Sequence, residues 1–210
     1  MNLPSNAPVW GQKLSAFSLA ELLISLLILG EIATFTIPKL ISSQQNQRYN
    51  AIAKEFVGSV AAAYQNYKAS NTVTDTFGIK DLTPYLNYSR IETGTTFDSV
   101  HGQGTLTCDG NVWVCMRLHN GALVDYGLPS TFGSLTNTGA VYFHIDPDGR
   151  ITDGTTNGPG KGLEFWLFYN GRIASRGDAG LNACQKWAGG GPWCYGADPA
   201  QLPSWFSWNN

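Results

Sequence analysis

The chain has 210 residues, a charged fraction of 13% and a formal net charge of −2. A balance so small and slightly acidic leaves no electrostatic signature of a nucleic-acid binder, and the length suffices for one long helix plus one globular domain. Its 24 glycines and 12% aromatic residues fit a β-rich domain with many turns.

Residues 1–16 are polar, with Lys13 as their one charge. Phe17 to Ile37 then read FSLAELLISLLILGEIATFTI, 21 residues without a basic group. As a helix rising about 1.5 Å per residue, such a run covers roughly 30 Å, the thickness of a hydrocarbon core. Two carboxylates interrupt it, Glu21 and Glu31. A carboxylate at membrane depth demands a partner. Cutting the chain after Ala16 would create a positively charged amine at Phe17, one helical turn from Glu21. A secretory signal peptide would instead place its charge first and a small-residue cut after the apolar run, where Pro38-Lys39 stands.

Lys13-Leu14-Ser15-Ala16 followed by Phe17-Ser18-Leu19-Ala20-Glu21 resembles the entry motif of type IV pilins and pseudopilins. That motif is a short polar leader ending in a small residue, then Phe-(Ser/Thr)-Leu-x-Glu opening an apolar helix. Gly30 and Pro38 match the family's Gly partway along the helix and Pro after it. The family usually has Gly before the cut; Ala16 departs from it but is small enough for a peptidase subsite, so slower cleavage is expected.

The resemblance implies an α+β fold, a long N-terminal hydrophobic helix whose C-terminal half packs on an antiparallel sheet. It implies a leader, residues 1–16, removed by a prepilin peptidase between Ala16 and Phe17, with N-methylation at Phe17. Residues 17–38 would be the transmembrane and filament-core helix and 39–70 its amphipathic second half. The subunit would wait in the inner membrane as a single-pass protein, its globular domain outside the cytoplasm. It would then form a homo- or hetero-polymer with other pilins on an assembly platform. Glu21 would pair with the Phe17 amine of a neighbour, fixing axial register. Glu31 lies ten residues further on, about 15 Å along the axis and about 80° around it, so the two cannot share one counter-charge. Glu31 is outside the family's core motif; its carboxylate is expected either to reach Lys39 or Arg48 of an adjacent chain or to be protonated or placed near the interface.

Past Pro38, Ile52, Phe56, Val60, Tyr64 and Tyr67 fall at helical spacing, with Arg48, Lys54 and Glu55 off the stripe. Pro38 predicts a kink or break. Gly30–Pro38, rich in β-branched residues, is the weak stretch, expected to melt on assembly. Residues 71–104 are expected to form a connector with a short helix near Lys80–Leu86. Residues 105–176 carry the strands: Thr105–Cys108 and Val112–Leu118 joined in a hairpin at Asp109-Gly110-Asn111, then Ala122–Tyr126, Ala140–Ile145, Leu163–Tyr169 and Arg172–Ser175. Asn120-Gly121 and Asn170-Gly171 mark two further corners, so an antiparallel meander is predicted.

Four cysteines lie beyond the apolar segment and allow three pairings. The local ones, Cys108–Cys115 and Cys184–Cys194, close short loops and are favoured. Residues 177–210 read as an irregular Gly/Trp-rich tail stapled by the second. Its aromatics, Trp187, Trp193, Tyr195, Trp205, Phe206 and Trp208, are expected to pack on the sheet rather than bind glycans.

Asp146-Pro147-Asp148-Gly149 with Asp153 is a calcium candidate, since some pseudopilins hold calcium in such a loop. An EF-hand would need Glu where Asn157 stands, and a turn explains the same residues. No other cofactor is expected. His101, His119 and His144 lie in no catalytic or metal spacing, and no enzyme is expected. Two fibres compete: a surface pilus for adhesion, motility or DNA uptake, favoured by the disulfides, the long domain and the aromatic tail, and a periplasmic pseudopilus of type II secretion, favoured by the Asp/Gly/Pro loop. A membrane-anchored surface protein that never polymerises is the third alternative.

Overall fold

A computed structural model describes residues 18–98, 105–128, 130–149, 162–187, 190–203 and 205–209. The predicted cut at Ala16 and Phe17, His101 and Asp153 lie outside them. The chain divides into two compact units, Met1–Ser42 and Ser43–Asn210. Helix α1, Leu19–Ser70, contributes residues to both.

In the first unit α1 is apolar on every side and exposes its side chains, Leu19 by 79% and Phe35 by 75%. Pro38 lies inside α1, and the expected break there is corrected. Proline withholds one donor, the one that would reach the Thr34 carbonyl, and the ladder on either side continues.

In the second unit α1 buries Ile52, Ala53, Phe56, Val57, Val60, Ala63 and Tyr64. These follow the three-and-four spacing of one helix face, while Glu55, Gly58 and Ser59 stay exposed. That face lies on an antiparallel sheet of six strands in the order β1-β4-β5-β7-β8-β9. The strands are β1 Arg90–Glu92, β4 Trp113–Arg117, β5 Leu123–Gly127, β7 Ala140–Asp146, β8 Leu163–Phe168 and β9 Ile173–Ser175. β2 (Thr95–Asp98) pairs with β3 (Thr105–Cys108) apart from it. β6 (Ser130–Thr131), β10 (Asn182–Trp187) and β11 (Pro192–Gly196) form a third sheet in the order β11-β10-β6.

The period of two along a strand decides the layers. On β7, Val141, Phe143 and Ile145 join the core under α1, while Ala140 and Tyr142 join a second core. On β8, Leu163, Phe165 and Leu167 face α1, and Trp166 and Phe168 face the other way. β8 is buried along its whole length, because Leu181 and Ala183 beside β10 cover the second face. Phe56 meets Phe143 edge-on with ring centroids 5.7 Å apart, and the Tyr64 hydroxyl donates to the Tyr169 carbonyl at 2.6 Å.

Two of the three predicted hairpins form. Gly121 and Gly171 both adopt φ of +90, the left-handed conformation that their Asn-Gly corners require. The third expectation is corrected. Asp109 Oδ1 accepts the amides of Asn111, Val112 and Trp113 at 2.8, 2.7 and 3.1 Å, so the chain turns there. It then changes sheets: β3 pairs with β2, and β4 with β1 and β5. The connector is also richer than expected, holding a 3-10 helix at Ile79–Tyr85 together with β1 and β2. Nor is the tail irregular. β10 and β11 form a hairpin with Cys184 opposite Cys194, and Trp205 and Phe206 enter the core under α1. Trp208 anchors the chain end by donating its indole N–H to Asp178 at 2.8 Å. Both favoured disulfides are present.

Phe56→Ala should therefore destabilise the domain by about 3–5 kcal/mol through the cavity left against Phe143. Denaturant unfolding of the full chain in detergent micelles measures it; a loss under about 1 kcal/mol would contradict this account of the core.

Candidate functional site

Ser18 and Glu21 meet at the start of α1. The Ser18 amide and hydroxyl donate to Glu21 Oε2 at 2.8 and 3.0 Å, and the Glu21 amide donates to Ser18 Oγ at 3.2 Å. This reciprocal pattern is a capping box, which satisfies two of the amides that a helix start leaves open. Sequence reasoning tied Glu21 to a terminal amine and passed over Ser18, although the Ser-x-x-Glu spacing was the signal for it.

Three hydroxyls of the apolar stretch are also met locally. Ser25 Oγ donates to the Glu21 carbonyl at 2.7 Å, Thr34 Oγ1 to Glu31 at 2.7 Å and Thr36 Oγ1 to Ile32 at 3.0 Å. Each hydroxyl thereby becomes tolerable in apolar surroundings. The Glu31 carboxylate is bonded by no side chain among the described residues, and it lies on the helix with Gly30 and Pro38 rather than beside Glu21. α1 is long and apolar enough to cross a membrane.

At the end of β7, Asp146, Asp148 and Gly149 form a turn, with the Gly149 amide donating to the Asp146 carbonyl at 3.2 Å. Arg117 enters it. Its Nη1 donates to the carbonyls of Gly149 and Gly121, both at 2.9 Å, while its Nε holds Glu92 at 2.9 Å. The Arg117 guanidinium thus ties the Gly149 turn to the Gly121 turn and to Glu92. Among the described residues no group of three His, Cys, Asp or Glu is arranged to hold a metal. Asp153, the third residue of the calcium candidate, lies outside the described residues.

A buried polar cluster under the tail was not foreseen. His144 Nδ1 lies 2.8 Å from Asp125 and its Nε2 3.5 Å from Glu164. Glu164 also accepts from the Trp166 indole, and Arg176 Nη1 stands 3.6 Å from it. Tyr142 and Trp113 lie against the imidazole, with centroids at 5.1 and 6.4 Å. Burial by itself would pull the imidazolium pKa down. The Asp125 charge and hydrogen bond, with Glu164 behind them, outweigh it and push His144 up to about 10. The two carboxylates bracket opposite ring nitrogens of His144. His119 is an ordinary turn residue bonded to Asn87 at 3.1 Å. Nothing in the sequence marked the cluster, because Asp125, His144 and Glu164 come from three strands and meet only through register.

Comparison with protein-family models, with curated proteins and with solved structures returned no match.

A folded pKa raised above the ordinary 6.5 means that the His144 contribution is complete below pH 6.5 and is lost as pH rises through about 10. Stability should therefore fall by about 1.4 kcal/mol per pH unit between roughly pH 7 and 9. His144→Gln should flatten that slope and cost about 3–5 kcal/mol at pH 7, since it leaves the buried Asp125 without its cation and Glu164 with Arg176 alone. Denaturant curves across this range test both; an unchanged slope in the variant would refute the assignment.

Proposed function

We propose that this chain is a structural, non-catalytic subunit of a type IV pilus-like filament, polymerising through the N-terminal half of α1. The observation that carries the proposal is Glu21: a carboxylate at the fifth residue after a predicted cut, at the head of an apolar helix that exposes its side chains all round. Such a surface is unstable in water and needs either lipid or other helices. A bilayer would hold it before assembly and a bundle of like helices afterwards. Only a partner that also supplies a cation suits the carboxylate in the second setting. The Phe17 amine released by a prepilin peptidase supplies one, and a neighbour's amine gives each added subunit a single axial register. N-methylation would leave that amine charged.

The capping box permits a sharp test. Gln at position 21 can still close the box on Ser18 but carries no charge. Glu21→Gln should be inserted and cut like the natural chain, yet lose assembled fibre about a hundredfold or more, as does Glu21→Ala. Normal fibre from Glu21→Gln would mean that the carboxylate serves the helix end alone.

Intact mass of the chain in sheared-off and membrane fractions separates the kinds of fibre. A methylated species starting at Phe17 in the sheared material supports a surface pilus. The same mass confined to membranes supports a pseudopilus of type II secretion or a scarce minor pilin. An uncut chain would sink the filament proposal and leave a membrane-anchored surface protein.

A further inference from the structure

The two disulfides differ in what can reach them. Cys108 and Cys115 are fully buried and pack with Leu123 and the partly buried Trp113. Cys194 is exposed and Cys184 half-buried. The period of two explains the second pair. Leu181, Ala183 and Gln185 are buried toward the sheet, so Asn182, Cys184 and Lys186 take the outer face of the hairpin.

The two sulfurs of the exposed bridge are not equivalent. β11 is the edge of its sheet, paired with β10 on one side only. β10 is the central strand, and Cys184 is covered on its far flank. Its amide donates to the Thr138 carbonyl at 2.6 Å, and Gly139 forms a parallel bridge to it. Thiol–disulfide exchange requires a thiolate to approach one sulfur in line with the S–S bond, from the side opposite the leaving sulfur. For Cys194 that approach comes over the open edge of β11, past exposed Pro192 and Gly196. For Cys184 it comes across the flank taken by Thr138 and Gly139. Lys186 stands two residues from Cys184 on the same face, about 7 Å along the strand, where its ammonium favours a departing thiolate.

We propose that Cys194 is a thiol–disulfide exchange site for a dithiol partner, and that Cys108–Cys115 is closed to the same chemistry. The partner's thiolate attacks Cys194 Sγ, the Cys184–Cys194 bond breaks, and its electron pair leaves on Cys184 Sγ. The partner's second thiolate then attacks the mixed disulfide and expels Cys194. The partner ends as a disulfide, and its two thiol protons end on the two cysteines. Run backward, the steps close the staple. The product is a hairpin held over Trp166 and Tyr142 by hydrogen bonds and packing alone. This inference stands whether or not the chain polymerises.

The test uses the full chain with its native disulfides in detergent micelles. Brief treatment with dithiothreitol, alkylation and peptide mapping should label Cys184 and Cys194 at least about tenfold faster than Cys108 and Cys115. Excess glutathione, a monothiol that cannot resolve its own adduct intramolecularly, should leave its mixed disulfide on Cys194. Equal or faster labelling of Cys108 and Cys115, or glutathione on Cys184, would overturn the proposal.

Discussion

β7 and β8 are buried on both faces, and the rest of the domain follows from that constraint. An antiparallel sheet usually keeps one face in water, and its strands then alternate apolar with polar residues. Here Phe143 and Phe165 face α1 while Tyr142 and Trp166 face away, so a single helix cannot cover the sheet. The chain after β9 meets the demand twice. The β10–β11 hairpin closes the outer face, and the last residues return to the helix side, where Trp205 and Phe206 complete the core. The tail therefore contributes to both core clusters, while Trp193 and Trp208 stay exposed, by 58% and 39%.

Two-sided burial also explains the charges inside. His144 and Glu164 occupy outward positions on β7 and β8, the polar places of a one-sided sheet. Once the tail covers that face they can persist only as a bonded set, with Asp125 and Arg176 completing the balance of two negative and two positive groups. The set ties β5, β7 and β8 together laterally with the chain that follows β9. Arg117 does similar work at the sheet end, joining Glu92 to the turns at Gly121 and Gly149.

The first unit obeys an opposite rule. It bonds its hydroxyls and the Glu21 carboxylate locally, though not the Glu31 carboxylate, and leaves its apolar side chains open. Serine and threonine hydroxyls fold back on carbonyls, and Ser18 and Glu21 close the helix start on each other. What remains is a rod whose surface asks for apolar neighbours and whose single terminal carboxylate is held by bonds to one serine. Glu21 can exchange those bonds for an ion pair by opening one cap and nothing more, as the proposed assembly would require.

Local chemistry was legible in the sequence. The apolar stretch, the amphipathic stripe from Ile52 to Tyr64, the Asn-Gly corners at Gly121 and Gly171 and the two short-loop disulfides all depend on neighbours within about ten residues, and all appear as expected. A break at Pro38 does not form, because one missing donor leaves the rest of the ladder intact. The Asp109 turn was misjudged because a tight turn specifies a change of direction, not the strand that pairs next. Pairing of β3 with β2, conversion of the tail into a hairpin, and the meeting of Asp125, His144 and Glu164 required the fold itself. Each joins residues far apart in the chain through register, and register is settled by which faces the whole domain can bury. The sequence by itself determined where this protein is apolar, where it turns and which cysteines are near neighbours. Only the tertiary structure decided which charges are buried together and which disulfide lies open, since both depend on what the last thirty or so residues cover.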